Sequence, residues 1–301
     1  MRHWIKSNLW FSVLLSMTLG FIAPGWGVYL APYVKVTLMV LIFFGSLDLD
    51  FEIILNQLKK PYRTLALMSL IHLGTPALLY PFRDFFSPDI FIGFLVIGAS
   101  ATGMSNIFLS HELRGSPSHA LVIVSLTNLA APFVIPMTMA VYAGAQAQIN
   151  FLSVITTMMV LIFIPLILAR VCVAFGLKEK IKRPAPYLSQ LNIGILIYSV
   201  IAPLRDDMLN NVKLSLTLLA IVWLITTMNY IIGWTLGENR HAKRTFALGA
   251  AFRNFTMAIV VCNEFFTPTA ALPAIIYAVV GNFLIVPLQL FAPGRLANSS
   301  E

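Results

Sequence analysis

Long runs of uncharged residues alternate with short polar segments along the chain. Residues 7–34, 90–110, 115–169, 214–237 and 265–294 contain no Asp, Glu, Lys or Arg. A helix needs about 20 apolar residues to cross the hydrocarbon core of a bilayer. The run at 115–169 is long enough for two crossings, with a polar hinge at 144–150. The pattern therefore predicts an all-α integral membrane protein, embedded in the lipid bilayer.

These runs predict about ten transmembrane helices in a single unit over residues 1–301. We place the helices near residues 8–23, 32–49, 63–82, 89–113, 117–143, 151–176, 187–204, 213–236, 245–264 and 268–291. The connections, such as 23–27 and 180–184, are short and rich in Pro, Gly and charge. The first run follows Arg2 and Lys6 and continues into further helices, so we interpret it as a first helix rather than a signal peptide.

Composition agrees with this class and excludes several others. The chain is 58% hydrophobic and 11% charged, whereas soluble domains carry roughly 25% charged residues. Cys172 and Cys262 both lie in apolar segments, without metal or redox spacing. The sequence contains no nucleophile elbow, glycine-rich phosphate loop or HExxH motif. We therefore expect neither an enzyme nor a metal-binding or cofactor-binding protein.

The net charge of +8 follows from membrane topology and does not indicate a nucleic-acid partner. Lys and Arg are sorted by connection, and the positive-inside rule places the richer set in the cytoplasm. Fifteen fall in one alternating set of segments, namely Arg2, Lys6, Lys59, Lys60, Arg63, Arg114, Arg170, Lys178, Lys180, Lys182, Arg183, Arg240, Lys243, Arg244 and Arg295. Four fall in the other set, namely Lys35, Arg83, Arg205 and Lys213, and Arg253 lies within a helix. Both termini are therefore predicted to be cytoplasmic, in what we expect to be a bacterial inner membrane.

An even number of helices suggests two repeats of five, at residues 1–145 and 146–301. A five-helix unit that is repeated once must be inverted, as in many secondary transporters. Faint traces support this: the segments 103–106 and 251–254 both end in Asn, and each is followed by a helix that carries Asn and Pro. Those residues are Asn128 with Pro132 and Pro136, and Asn282 with Pro287.

The fourth helix contains a cluster of small and polar residues at 98–106, near the middle of the membrane. Such residues permit close helix packing. They also permit a broken helix whose freed backbone groups line a cavity. We predict a break near 103–106 that involves Ser105 and Asn106, because Ser and Asn compete locally for backbone hydrogen bonds.

Arg253 is the one charge in the middle of the ninth helix. A central arginine costs roughly 2.5–3.5 kcal/mol on insertion scales, and its proton cannot be shed. It must face a polar cavity, an anion or a carboxylate, and Glu264 and Glu112 are the nearest acidic candidates by element. We favour a functional role, in which Arg253 and Asn254 bind substrate at a second break near 251–255.

Several other polar residues lie within apolar helices. Thr127, Asn128 and Asn282 are explained equally well by interhelical hydrogen bonds and by contact with substrate. His72 is explained by packing or by a part in coupling, and Glu264 is a second titratable candidate for coupling.

At the Ser105-Asn106 and Arg253-Asn254 pairs the chain resembles the bile acid:sodium symporter family, and the likeness extends over nearly all of it. The resemblance implies broken, crossing helices 4 and 9, inverted repeats, a panel domain beside a core domain, and substrate binding near the crossover. Sodium-coupled members carry Glu-x3-Gln-Asn on helix 9, where this chain has Gly249-x3-Arg253-Asn254. Hydroxyl ligands expected on helix 5 fall at Ala120 and Val124, and a glutamine expected on helix 3 falls near Ile71 or His72.

Together these features predict a secondary transporter that moves a small organic anion by alternating access, without strict sodium coupling. The alternatives are a sodium- or proton-coupled symporter of another solute, and a membrane-embedded sensor or structural protein without transport.

Overall fold

The computed structural model describes residues 9–49, 52, 62–143 and 150–290. In this part of the chain the backbone is almost entirely helical, and its one β-type pairing is an isolated bridge between Thr102 and Arg253. The helices are α1 Leu9–Ile22, α2 Pro24–Leu30, α3 Val34–Ser46, α4 Tyr62–Ser69, α5 Thr75–Leu79, α6 Pro88–Ala99, α7 Ser105–Glu112, α8 Pro117–Tyr142, α9 Phe151–Ala174, α10 Lys178–Lys182, α11 Ala185–Asn210, α12 Val212–Leu236, α13 Arg240–Ala251, α14 Phe255–Phe265 and α15 Leu272–Leu290.

Six segments of the described ranges are long and apolar enough to cross a membrane on their own. They are Pro24–Ser46, Tyr62–Phe85, Pro117–Tyr142, Phe151–Ala174, Tyr187–Asp206 and Val212–Leu236. The predicted integral membrane class therefore stands. The other four predicted helices correspond to α1, to α15 and to the interrupted pairs α6–α7 and α13–α14.

Side-chain caps fix the start of several helices. Ser116, Asn150, Asn239 and Asn254 each accept a hydrogen bond from the backbone N–H three residues later. Such a bond satisfies one of the four N–H groups that have no partner inside the first turn of a helix. The polar residues that interrupt the apolar runs therefore define where the runs begin as helices.

The structure corrects some predicted boundaries. The second span begins at Pro24 rather than near residue 32, because Pro24 takes the first helical position, where its missing N–H costs nothing. The third span contains a π-helical turn, Leu70–Gly74, and the short helix α10 was not predicted. The predicted hinge at 144–150 falls almost wholly outside the described residues, as does the boundary between the repeats at 145/146.

The helices pack in two groups. In the first group, α11 packs against α1, α2 and α3, and α3 also packs against α9. In the second group, α6 packs against α8 and α15, and α12 packs against α13 and α15. Helix α6 is buried from Ile90 to Ala99, as expected for a helix that is apolar on every side. The groups meet where α3 contacts α14 and where α8 contacts α9.

Candidate functional site

Two helix breaks lie side by side in the second group. Helix α6 ends at Ala99 and α7 begins at Ser105, while α13 ends at Ala251 and α14 begins at Phe255. Both breaks were predicted, although the first begins earlier than expected because Ser100 already has an extended backbone (ψ 150°).

The two breaks satisfy each other's backbone groups. The Gly103 N–H donates to the Phe252 carbonyl (2.8 Å), and the Asn254 N–H donates to the Ala101 carbonyl (2.7 Å). Between these bonds, Thr102 and Arg253 form the antiparallel bridge. An unpaired backbone group in the hydrocarbon region costs several kcal/mol, so each break stabilises the other.

Helix α8 supports the first break with the two polar residues predicted there. The Thr102 N–H donates to Oγ1 of Thr127 (3.1 Å), and Nδ2 of Asn128 donates to the Thr102 carbonyl (3.1 Å). Thr127 is fully buried and Asn128 nearly so, and neither lines the larger cavity described below. The interhelical explanation of these two residues therefore accounts for their contacts.

The predicted asparagines at the breaks differ in their contacts. Oδ1 of Asn254 caps α14 by accepting from the Met257 N–H (3.0 Å), and its Nδ2 donates to Oδ1 of Asn128 (3.4 Å). Asn106 is fully buried in α7, and its Nδ2 has no hydrogen-bond partner. A side chain built on Gly249 would begin 3.3 Å from this Nδ2 and 3.2 Å from Cγ2 of Ile123. The space beside Gly249 is therefore filled by an amide donor and a methyl group.

A cavity of about 410 Å³ lies between the breaks and the first group of helices. Among the predicted substrate residues it is lined by Ser105, Arg253 and Asn254. Most of its remaining wall is apolar and comes from α3, α11, Phe252 and Phe255. Asp48 and Lys182 lie at its mouth, where Lys182 Nζ contacts Asp48 Oδ1 at 2.8 Å.

Arg253 is 3% exposed and lacks a carboxylate partner among the described residues. Its Nη2 donates to Oγ1 of Thr75 (2.7 Å), while Nε and Nη1 have no hydrogen-bond partner. Neither Glu264 nor Glu112, the carboxylates considered from the sequence, forms a salt bridge with Arg253. Glu264 pairs instead with Lys35 (2.5 Å), and Oε1 of Glu112 lies 3.8 Å from Nδ1 of His111. The buried guanidinium therefore has no neutralising carboxylate among the described residues.

Arg253 also lines a second, smaller cavity behind the breaks, together with Thr75, Asn229 and Tyr277. The Tyr277 hydroxyl donates to the Ala251 carbonyl at the end of α13. Sequence reasoning missed Thr75, Asn229 and Tyr277. The available signal was Asn229, which is the only Asn in the uncharged run 214–237.

Two other predicted residues, His72 and Glu264, do not line the larger cavity. His72 is buried on the π-helical turn, its Nδ1 lies 2.8 Å from the Ala99 carbonyl, and its Nε2 has no partner. Glu264 ends α14 in its ion pair with Lys35. Asn282 lies on α15, and its side chain is outside what the structure describes.

Residues 3–298 match the family model of the SBF-like CPA transporter family. Among curated proteins, the chain is 18% identical over 293 residues to the "Uncharacterized sodium-dependent transporter YocS" of Bacillus subtilis, with 93% of this chain and 89% of that protein covered. It is 20% identical over 248 residues to the "Uncharacterized protein YbaS" of the same organism, with 78% and 80% covered.

Proposed function

Because the chain belongs to the SBF-like CPA transporter family, we propose that it is a secondary transporter that moves a small organic anion by alternating access. The main observation in favour of an anionic substrate is Arg253, a buried guanidinium without a carboxylate partner in the described structure. A buried charge is costly unless it is paired. A transported carboxylate in the adjoining cavity supplies the opposite charge.

The half-helices add to this preference. Helices α7 and α14 begin at the breaks with Ser105 and Phe255, and both Ser105 and the cap residue Asn254 line the larger cavity. A helix N-terminus carries a positive partial charge, and transporters direct such ends at anionic groups of their substrates. Both half-helix ends and Arg253 therefore favour an anion at the same place.

The experiment is uptake into proteoliposomes that contain only this protein. Radiolabelled acetate, pyruvate and benzoate are the anionic probes, and benzamide is the uncharged counterpart of benzoate. We expect saturable uptake of at least one anion above protein-free liposomes, with none of benzamide. Uptake of benzamide without any of the anions would contradict the proposal.

We further propose that sodium coupling is not strict, although the relative YocS is named as a sodium-dependent transporter. The resemblance implies a carboxylate ligand where this chain has Gly249, and an amide where it has Arg253. Two unit charges about 4 Å apart repel by roughly 4 kcal/mol at an effective dielectric constant near 20. Arg253 thus acts as a covalently attached cation in place of a bound one.

Proton coupling through His72 is the second candidate, because its buried Nε2 has no partner. A pH gradient imposed in sodium-free buffer distinguishes a proton-coupled symporter from a uniporter or exchanger. Uptake that follows the gradient in the wild type and is lost in His72→Gln supports a proton-coupled symporter. Unchanged uptake supports a uniporter or exchanger.

We propose that the chain crosses the membrane ten times, as two inverted repeats with a panel of α1, α2, α3, α9 and α11 beside a core. With a cytoplasmic Lys178–Lys182 segment, the cavity mouth at Asp48 and Lys182 faces the cytoplasm. A single cysteine at Lys180 should then react with a membrane-impermeant maleimide only after permeabilisation, whereas one at Arg83 should react in intact cells. Labelling of residue 180 in intact cells would contradict this topology.

The Lys35–Glu264 ion pair lies where the panel meets the core, since Lys35 is on α3 and Glu264 ends α14. Alternating access requires this contact to separate when the cavity opens toward the other side of the membrane. Both side chains are partly exposed, at 42% and 34%, and exposed pairs contribute little stability. This position favours a part in the conformational change for Glu264 rather than a part in coupling.

Joining the two positions covalently should therefore stop transport. With cysteines at Lys35 and Glu264, a bifunctional methanethiosulfonate is expected to abolish anion uptake, and dithiothreitol should restore it. The control is a cysteine pair at Arg63 and Glu238, which form an ion pair within the core (3.0 Å) and should tolerate the same cross-link. Full uptake by the cross-linked Lys35–Glu264 pair would contradict a moving interface.

A further inference from the structure

The guanidinium of Arg253 is held by a chain of neutral groups. Its Nη2 donates to Oγ1 of Thr75 (2.7 Å), and the Thr75 hydroxyl donates in turn to Oδ1 of Asn229 (2.8 Å). The three side chains come from different helices, Thr75 on α5, Asn229 on α12 and Arg253 between α13 and α14. Each is nearly inaccessible, at 2%, 1% and 3% exposure respectively.

The direction of the hydrogen bonds follows from the chemistry of the groups. A guanidinium can only donate, so the Thr75 oxygen accepts and its single hydrogen must go elsewhere. The Leu70 carbonyl, which also accepts the Thr75 backbone N–H, is a second acceptor for the hydroxyl at the longer distance of 3.1 Å. Asn229 is nearer and therefore orients the hydroxyl, which in turn orients the guanidinium.

We infer that Thr75 and Asn229 are positioning residues that hold Arg253 in place while leaving its charge uncompensated. This inference rests on the proposed anion transport and deepens it. A carboxylate at either position would also hold a guanidinium, through a stronger bond, but it would cancel the charge. A hydroxyl and an amide provide the geometry without the negative charge, so the charge of Arg253 stays uncompensated toward an anion in the larger cavity, which Arg253 also lines.

The nearly isosteric variant Asn229→Asp can still hold the Arg253 guanidinium through Thr75, but it also neutralises the charge of Arg253. Thermal unfolding of the purified full-length protein in detergent, without added ligand, measures the coupling in a double-mutant cycle with Arg253→Gln. In the wild-type background we expect Asn229→Asp to raise Tm, because a buried charge gains a partner. In the Arg253→Gln background it should lower Tm, because the new carboxylate is then buried alone. Changes of equal sign and size in both backgrounds would overturn the inference.

Benzoate uptake supplies the functional arm. We expect Asn229→Asp to lower kcat/KM for benzoate by about tenfold or more despite its higher Tm, a factor equivalent to about 1.4 kcal/mol. Thr75→Ser should keep the KM of the wild type, whereas Thr75→Val should raise the KM for benzoate. Benzoate uptake at the wild-type level by Asn229→Asp would show that transport does not require neutral side chains beside Arg253. If the wild type takes up no anion, the proposed function fails. The double-mutant unfolding cycle still decides whether Thr75 and Asn229 hold an uncompensated Arg253.

Discussion

Arg253→Gln is expected to weaken anion binding by roughly thirtyfold or more, equivalent to about 2 kcal/mol, since losing one member of a buried charge pair costs at least that much. Glutamine retains a donor that can reach toward Thr75 but removes the charge. We expect the KM for the transported anion to rise while the folded yield stays near that of the wild type. Stability should not fall, because the variant removes a buried charge that has no carboxylate partner among the described residues.

The control is Arg253→Lys, which keeps the charge and loses the planar fork. It should bind the anion with an affinity between those of the wild type and of Arg253→Gln. The measurement is concentration-dependent uptake in proteoliposomes with equal amounts of reconstituted protein. Wild-type affinity in Arg253→Gln would contradict a role of this charge in recognition.

Gly93→Ala is expected to have the largest effect on stability. Gly93 lies on α6 where that helix packs against the 3-10 segment Pro268–Ala271. A methyl group there would overlap the backbone carbonyl oxygen of Ala270 and would approach Cδ of Pro273 to 2.9 Å. Neither the carbonyl nor the proline ring can rotate away, so the helices must move apart. Overpacking typically costs about 1–3 kcal/mol and occasionally more.

We therefore expect Gly93→Ala to lower Tm and the yield of monodisperse protein in detergent. The matched control is Gly25→Ala on α2, where a new methyl group meets nothing within 4 Å. That change should be neutral or slightly stabilising, because alanine is favoured over glycine in helices by about 1 kcal/mol. Equal Tm values for the two variants would show that the packing of α6 is looser than described.

The helix breaks could be predicted from the sequence because their signals are local. The cluster at 98–106 and the isolated charge of Arg253 each stand out against an apolar run. The backbone groups freed at each break are paired with the other break, since the Gly103 and Asn254 N–H groups each donate to a carbonyl of the opposite break. Asn254 is likewise of a residue type that commonly caps the start of a helix.

The contacts of Arg253 could not be predicted in the same way. Thr75 and Asn229 are 154 positions apart, and each reads as an ordinary polar residue in an apolar helix. The π-helical turn before Thr75 is also invisible in the pattern, because one extra residue in a turn barely disturbs an apolar run. The alternative of a salt bridge from Arg253 to Glu264 does not form, because Glu264 lies at the far end of the interrupted helix, beside Lys35.

We propose that a fixed cation, Arg253, takes the place of a bound sodium ion in anion recognition. Anion uptake by the wild-type protein, measured in proteoliposomes with sodium fully replaced by N-methyl-D-glucamine, tests it most directly. We expect saturable uptake with the same KM in sodium buffer and in N-methyl-D-glucamine buffer. A strict and saturable dependence of uptake on sodium would contradict it.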